Sequence, residues 1–346
     1  MSLSIRSHLA AGQVIPALPL ALDRARRWDE SRQAGLVRYY IDAGAGGLAV
    51  GVHSTQFAIR EPKIGLYEPV LKLAAAASAE WLGSKPRDFI LIAGLCGRTP
   101  QARNEARTAA KLGYHAGLLS LGAWAKDPEP KILAHCRAVA REIPLVGFYL
   151  QNAVGGRVFS YRFWRDFAEI PQLVGVKIAP FNRYRTIDVV RAVLEAGRDD
   201  VALYTGNDDN IIADLLTPFT FGGRTRHIAG GLLGQWGVWT ERAVKLFEAI
   251  KRARQKSRVD LEWWDRNAAL TDMNAAVFDA ANNFAGCLPG IHEVLRRQGL
   301  LRTTACLDPH EVLSPGQAAE ITRVARAYPW LVDDEFVARN KARWLA

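Results

Sequence analysis

Cysteine is scarce in this chain: four in 346 residues, at Cys96, Cys136, Cys287 and Cys306. None forms a Cys-x-x-Cys pair, which excludes a zinc ribbon or a dithiol redox motif. Four in a chain this long do not make a disulfide framework either, so they read as ordinary reduced thiols. No stretch of about 20 apolar residues occurs, and no membrane-spanning helix is expected. The apolar run Val14 to Leu22 is interrupted by Pro16 and Pro19, and no small-residue cleavage site follows it. A secretory leader is therefore not expected, and a cytoplasmic location is. The glycine fingerprint of an open dinucleotide-binding sheet is also missing, since the first apolar run continues as Ala17-Leu18-Pro19-Leu20.

Lysine and arginine total 45 against 35 acidic residues, a formal net charge of +10. That excess raises the question of an acidic partner, but its distribution argues against nucleic acid. Arg24 to Arg27 and Lys251 to Lys256 fall on expected helices without interleaved aromatics, the pattern of a solvated face. With 49% hydrophobic residues the chain can bury a large core.

Short apolar runs bounded by glycine, proline and polar residues recur at Gln13 to Leu20, Gly47 to Val52, Phe89 to Gly94, Gly117 to Leu121, Leu145 to Tyr149, Leu173 to Ile178, Val201 to Thr205 and His227 to Leu232. Each reads as a strand buried on both faces. Helical periodicity fills the intervals, at Gln33 to Ala43, Ile64 to Leu82, Pro100 to Leu112, Pro128 to Arg141, Thr186 to Ala196 and Trp236 to Ala253. From residue 117 the strand starts are spaced by 28, 28, 28 and 26 residues, the size of one strand, one helix and two short loops. Eight such units match a closed α/β fold, the TIM (β/α)8 barrel of about 250 residues. The expected organisation is a barrel over residues 1–256 and a helical region over 257–346 packed on it, with helical stretches at Asp272 to Ala281, Ile291 to Gln298 and Pro315 to Ala327.

In such a barrel the working residues lie at the C-terminal ends of strands. The sixth run, Leu173-Val174-Gly175-Val176-Lys177-Ile178-Ala179-Pro180, places a lysine among apolar residues. A structural lysine that is paired or extends its amine to water is one reading. The other is a desolvated amine of lowered pKa, able to attack a ketone. Tyr149 lies 28 residues earlier, one β/α unit away, where a phenol would serve the proton transfers of imine chemistry. A barrel-filling aromatic is the alternative for that residue.

This set resembles the dihydrodipicolinate synthase and N-acetylneuraminate lyase family of class I, lysine-dependent aldolases and dehydratases. Gly175-Val176-Lys177-Ile178-Ala179 is similar to the family's element around its Schiff-base lysine, and Tyr149 falls at the matching tyrosine. Gly206-Asn207-Asp208-Asp209 resembles the family's Gly-x-Asp-Asp/Glu turn, and Gly230-Gly231-Leu232-Leu233-Gly234 its glycine-rich loop. Ala275 to Phe278 and Leu288 to Leu301 resemble its C-terminal helices. The resemblance implies a pyruvate-type 2-oxo acid bound as an imine to Lys177, with Tyr149 relaying protons and Gly206, Asn207 and Gly231 near the substrate. It also implies a homo-oligomer, a dimer or tetramer.

The departures concern the same site. Where the family has Gly-Thr/Ser-Thr-Gly-Glu, this chain reads Gly51-Val52-His53-Ser54-Thr55-Gln56. Ser54 and Thr55 are expected to supply hydroxyls from shifted positions, and His53 to replace the missing relay group or meet the substrate carboxylate. A Pro-Tyr-Tyr element is replaced by Gly122-Ala123-Trp124. Trp124 keeps an aromatic wall but passes no phenolic proton. Arg157 is an off-register candidate for second-substrate recognition, which puts lysine biosynthesis in doubt. Asn182 and Arg183 follow the sixth strand and read as a loop cap, with contact to substrate oxygens as the alternative. Asp208 and Asp209 read as acids at a helix N-terminus, and with no histidine cluster beside them no metal site is expected. No cofactor is expected.

Two rival readings remain beside the Schiff-base enzyme. One is a catalytically inactive small-molecule binding barrel, motivated by the altered Val52-His53 segment and the missing second tyrosine. The other is a barrel for a phosphorylated sugar, resting on Gly230-Gly231 and the basic charge.

Overall fold

The computed structural model describes residues 4–84, 86–152 and 155–346. A first helix, α1 (Ile5–Ala10), precedes β1 (Val14–Pro16), α2 (Glu30–Asp42), β2 (Gly47–Val50) and α3 (Tyr67–Gly83). Then follow β3 (Ile90–Leu95), α4 (Thr99–Lys111), β4 (Ala116–Leu119), α5 (Glu129–Ala140), β5 (Leu145–Leu150), α6 (Tyr161–Ala168), β6 (Leu173–Ala179) and α7 (Arg183–Glu195). After β7 (Ala202–Thr205) and α8 (Ile211–Leu216) a small hairpin, β8 (Phe219–Phe221) and β9 (Arg224–Arg226), precedes β10 (Gly230–Leu233) and α9 (Thr240–Ala253). The chain ends in α10 (Glu262–Val277), α11 (Cys287–Arg297), α12 (Gln317–Ala327) and α13 (Asp334–Trp344). Set the hairpin aside and the order is the expected eight β/α units, the α/β class of a TIM (β/α)8 barrel with added C-terminal helices.

Two compact units make up the chain: Met1–Gln13 with Ile90–Leu232, and Val14–Phe89 with Leu233–Ala346. In the first, β3, β4, β5, β6, β7 and β10 pair in that order, all parallel. Their backbones are covered on both faces, as their near-continuous apolar sequences require. Helix α6 illustrates how one cover is built. Ser160 caps it, accepting from Phe163 N at 3.0 Å, and Phe163, Trp164 and Phe167 line its buried face. A β-carbon on Gly147 of β5 would lie 2.6 Å from the Phe167 ring, so only glycine lets the helix come this close.

In the second unit β1 and β2 are joined by the parallel bridge Ala17–Ala49, with Leu18 N donating to Ala49 O at 2.8 Å. Helix α13 packs on α2: Trp344 is fully buried, its indole N–H donates to Asp42 at 2.6 Å, and Arg38 donates to the Trp344 carbonyl at 2.8 Å. Buried Asp333 accepts from the Tyr39 hydroxyl at 2.8 Å and from the Gln298 amide at 2.8 Å, tying α2, α11 and the start of α13 together. The helices expected as an appended region after residue 256 therefore share one compact unit with α2, α3 and α9.

Strand and helix positions agree with the sequence reading wherever the apolar run was long. Helices α1, α6 and α8, of six, eight and six residues, were not expected. About two turns or fewer leave too short a period to read.

Candidate active site

Lys177 is the fifth residue of β6 and the one position of that strand that is not fully buried. Its side chain lies among Phe148 of β5, the end of β7 and the turn that follows. The ammonium nitrogen stands 4.5 Å from the centroid of the Phe148 ring. Among the described residues no hydrogen bond or ion pair holds it. Burial pulls its pKa from 10.5 down to about 8, with the charge of Asp208 acting in the opposite direction. At pH 7 a pKa of about 8 leaves about a tenth of the amine neutral, against about one part in three thousand at the ordinary value.

The turn after β7 explains the crowding. A β-carbon at Gly206 would lie 2.6 Å from Lys177 Cε and 2.8 Å from Ala179 Cβ, so Gly206 is required by the direct approach of the lysine stem. Around Gly206 the chain is pinned by Asp214 of α8, which is fully buried. One Asp214 oxygen accepts from Thr205 Oγ1 at 2.6 Å and from Asn207 Nδ2 at 2.9 Å, while Arg183 forms an ion pair with the carboxylate. Asn207, also fully buried, accepts from Phe181 N at 2.9 Å and donates to Thr186 at 3.2 Å. That bond holds Phe181 in the left-handed region, at φ 49°. Thr205, Thr186 and Asp214 were not singled out in the sequence. A Thr-Gly-Asn turn followed seven residues later by an acid carries no periodic signal.

Tyr149 is not brought to Lys177. The β5–β6 ladder pairs Leu145 with Leu173 but then Val146 with Gly175, and this irregularity moves every later pair by one residue. Phe148 stands opposite Lys177, and Tyr149 opposite Ile178. Side chains alternate along a strand, so Tyr149 points to the other face of the sheet. There it is 1% exposed, with its ring 4.9 Å from Trp164 and 5.9 Å from Phe159, and its oxygen accepts from Phe159 N at 3.4 Å. Burial raises its pKa. The position beside the amine is thus held by a phenyl ring with no proton to give. Tyr204, the partner of Lys177 on β7, has its phenol engaged: it donates to Leu9 O at 2.9 Å and accepts from Gln13 N at 3.1 Å.

Trp124 is held as a structural ring. One face stacks on His135 at 4.5 Å, Arg98 lies 4.4 Å from the ring on α4's side, and the indole N–H donates to Gly97 O at 3.2 Å. Burial lowers the His135 pKa to about 4, so the stacked imidazole is neutral. Arg157 donates to Asp127 O at 2.6 Å, and its neighbours Ala153 and Val154 lie outside the described residues. Asn182 caps α7 as expected, accepting from Arg185 N at 3.1 Å. Arg183 instead serves the buried Asp214. Asp208 and Asp209 do not begin a helix, because α8 starts at Ile211. Gly231 pairs with Thr205 in β10, its N–H donating to Gln13 O at 3.2 Å.

In the second unit, His53-Ser54-Thr55 forms a single 3-10 turn after β2. Thr55 is fully buried, and its hydroxyl serves the fold: it donates to Leu18 O at 2.7 Å and accepts from Gly51 N at 3.0 Å. Ser54 is buried, and His53 is half-buried with its ring 6.0 Å from Phe57. Among the described residues no group of three or more His, Cys, Asp or Glu is arranged to hold a metal ion, and no helix is long and apolar enough to cross a membrane.

No model of a known protein family matches the chain. Named relatives do. A 4-hydroxy-tetrahydrodipicolinate synthase of Parasynechococcus marenigrum is 26% identical over 199 residues, 57% of this chain and 62% of the relative. The match thus spans less than two thirds of that relative's length. N-acetylneuraminate lyase 2 of Escherichia coli is 22% identical over 302 residues, 86% of this chain and 87% of the relative. Among solved structures, dihydrodipicolinate synthase of Cyanidioschyzon merolae superposes with a TM-score of 0.73 at 20% identity, covering 93% of this chain and 99% of that one. N-acetylneuraminate lyase of Fusobacterium nucleatum gives 0.71 at 18% identity, covering 92% and 99%.

These likenesses establish the fold class, a (β/α)8 barrel with C-terminal helices. The resemblance read from the sequence stands with it: this chain is similar in sequence to named 4-hydroxy-tetrahydrodipicolinate synthases and to an N-acetylneuraminate lyase.

Proposed function

We propose that this protein is a class I lyase in which Lys177 forms a Schiff base with a pyruvate-like 2-oxo acid, and that it makes or breaks a carbon–carbon or carbon–oxygen bond of a sugar-acid-type substrate. The observation that carries this reading is the Lys177 amine itself, crowded by Phe148 and Gly206, with no ion pair among the described residues and with a pKa brought down to about 8. A structural lysine would be expected to pair with a carboxylate or reach solvent. An amine kept neutral part of the time attacks a ketone, and the resulting protonated imine accepts the electrons released at the neighbouring carbon. Gly206 lies against the lysine stem, and Asn207 and Gly231 are proposed to border the substrate. The hydroxyl of Thr55 and the ring of Trp124 are engaged in the fold and support such a role less. We propose a homo-oligomer, on the precedent of the resemblance, and a cytoplasmic location, as the sequence reading expects.

The test is reduction with sodium borohydride in the presence of a panel of 2-oxo acids, read as a mass increment on the peptide containing Lys177. A specific adduct is expected with pyruvate or a close analogue. If no acid leaves an adduct, the imine reading is lost.

The second reading, a binding barrel without turnover, is favoured by one observation: the residue facing Lys177 is Phe148 and not a tyrosine. It predicts that calorimetry detects 2-oxo acid binding that survives Lys177→Ala.

A further inference from the structure

The basic cluster Arg24 to Arg27, expected on a helix, lies instead on a tight turn between β1 and α2, entered and left through the antiparallel bridge Leu22–Trp28. Asp23 builds that turn. Its backbone N–H donates to Arg27 O at 2.8 Å, and its carboxylate accepts from Ala25 N at 2.8 Å, from Arg27 N at 2.9 Å and from Arg27 Nε at 2.8 Å. An aspartate whose side chain closes on the amides that follow it fixes the course of a turn. Arg26 is held there at φ 59°, and its guanidinium donates to Cys306 O at 2.5 Å.

The segment after α11 forms the other side. Arg302 donates from Nε to Asp29 at 2.8 Å, and Arg32 of α2 donates to the Gly299 carbonyl. These contacts tie the turn and the start of α2 to residues 299–306, all within the second unit. Between the two sides lies an open depression of about 550 Å³, lined by Asp23, Arg24, Ala25, Arg27 and Arg302.

The three arginines of the lining are exposed, and their donors are only partly used. Arg24 makes no hydrogen bond or ion pair among the described residues. Arg27 turns Nε and Nη2 toward Asp23, which leaves Nη1, and Arg302 uses Nε on Asp29, which leaves both terminal nitrogens. The Asp23 oxygens are already taken by the turn. Like charges also crowd here: burial, and then the charge of Arg302, lowers the Arg32 pKa, with Asp29 opposing. Guanidinium forks that converge on one depression, among cations that repel one another, match the oxygens of a phosphate. No aromatic ring lines the depression to stack a base, and its size is that of a small-ligand site.

We propose that this depression binds a small phosphate-bearing anion, with the phosphate held by Arg24, Arg27 and Arg302. The proposal is independent of the imine reading, since Lys177 belongs to the first unit and these residues to the second.

Isothermal titration calorimetry on the full chain at low ionic strength tests it, with inorganic phosphate, pyrophosphate and glycerol 3-phosphate as probes. Saturable binding of at least one of them, at one site per chain, is expected. Tighter binding of the glycerol ester would assign a phosphate monoester, tighter binding of pyrophosphate a diphosphate, and equal affinities the free ion. Arg24→Ala is expected to weaken binding about 10-fold, the loss of one charged hydrogen-bonding partner. Its melting temperature without anion is expected to be unchanged, because Arg24 holds nothing in the fold. Arg302→Lys keeps the charge and loses the fork, and is also expected to weaken binding. Arg252→Ala, which removes an exposed charge from α9, is expected to change affinity less than about 2-fold, and so is Lys177→Met. Absence of saturable binding for every probe overturns the proposal. So does an equal loss in Arg24→Ala and Arg252→Ala, which would reduce the effect to net charge. Loss of binding in Lys177→Met would put the anion in the barrel and overturn it as well. A single-stranded oligonucleotide that displaces pyrophosphate at equal phosphate concentration would overturn the assignment to a small ligand.

Discussion

The Lys177 ammonium lies over the Phe148 ring at 4.5 Å, and the two residues are register partners on adjacent parallel strands. The ring face stabilises the charged amine while burial opposes it, and burial prevails. A cation over a ring is worth about 0.5–1 kcal/mol, or a little under one pKa unit.

Phe148→Leu is therefore expected to lower the Lys177 titration midpoint further, by about half a unit. Competitive labelling across pH measures it. An upward movement would mean that the ring acts only by excluding water.

The sign of the Lys177 contribution to stability follows from its lowered pKa. Between about pH 8 and 10.5 the unfolded chain binds the proton and the folded chain does not, so stability from this residue rises with pH across that window and is lowest below it. The cost at pH 7 is about 3 kcal/mol at most. Lys177→Met is expected to raise the melting temperature at pH 7, with a smaller gain at pH 9.5, while abolishing borohydride trapping. Equal gains at both pH values would show that the amine is not held against its charge.

Tyr149→Phe is expected to leave the rate of trapping within about 2-fold and to cost about 1 kcal/mol in chemical denaturation, the value of its hydrogen bond from Phe159 N. A large loss of trapping with unchanged stability would place the phenol at the amine after all.

Asp214→Ala removes one partner of a buried pair and leaves Arg183, Thr205 and Asn207 facing an empty position. A loss of about 3 kcal/mol in urea denaturation is expected. Trapping in the fraction that remains folded is also expected to slow, because the Thr205–Asn207 segment that backs Lys177 is released. A loss under about 1 kcal/mol would show that solvent reaches and satisfies the group.

Much of this was legible in the residues themselves. Alternating apolar runs at near-constant spacing specified eight β/α units, because strands buried on both faces and helices with one apolar side have different periods. Lys177 stood out for the same reason, as a charge inside such a run. The even spacing of 28 residues rightly put Tyr149 on the strand next to that of Lys177, but spacing carries no register, and the ladder sets Phe148 rather than Tyr149 opposite the lysine. Likewise Ser54, Thr55 and Trp124 carried suitable chemistry, but no sequence pattern records that Thr55 spends its hydroxyl on Leu18 or that Trp124 is stacked on His135 and capped by Arg98.

By itself, then, the sequence determined the class of fold and the lysine, because both follow from the local alternation of apolar and polar side chains. Tertiary structure alone decided what stands beside that lysine. The irregularity between Leu145 and Val146 turns Phe148 toward it and Tyr149 away. The fully buried Asp214 fixes the turn that brings Gly206 against the lysine stem. Register and burial depend on how strands and helices meet across the fold, and neither is encoded within a single run of residues.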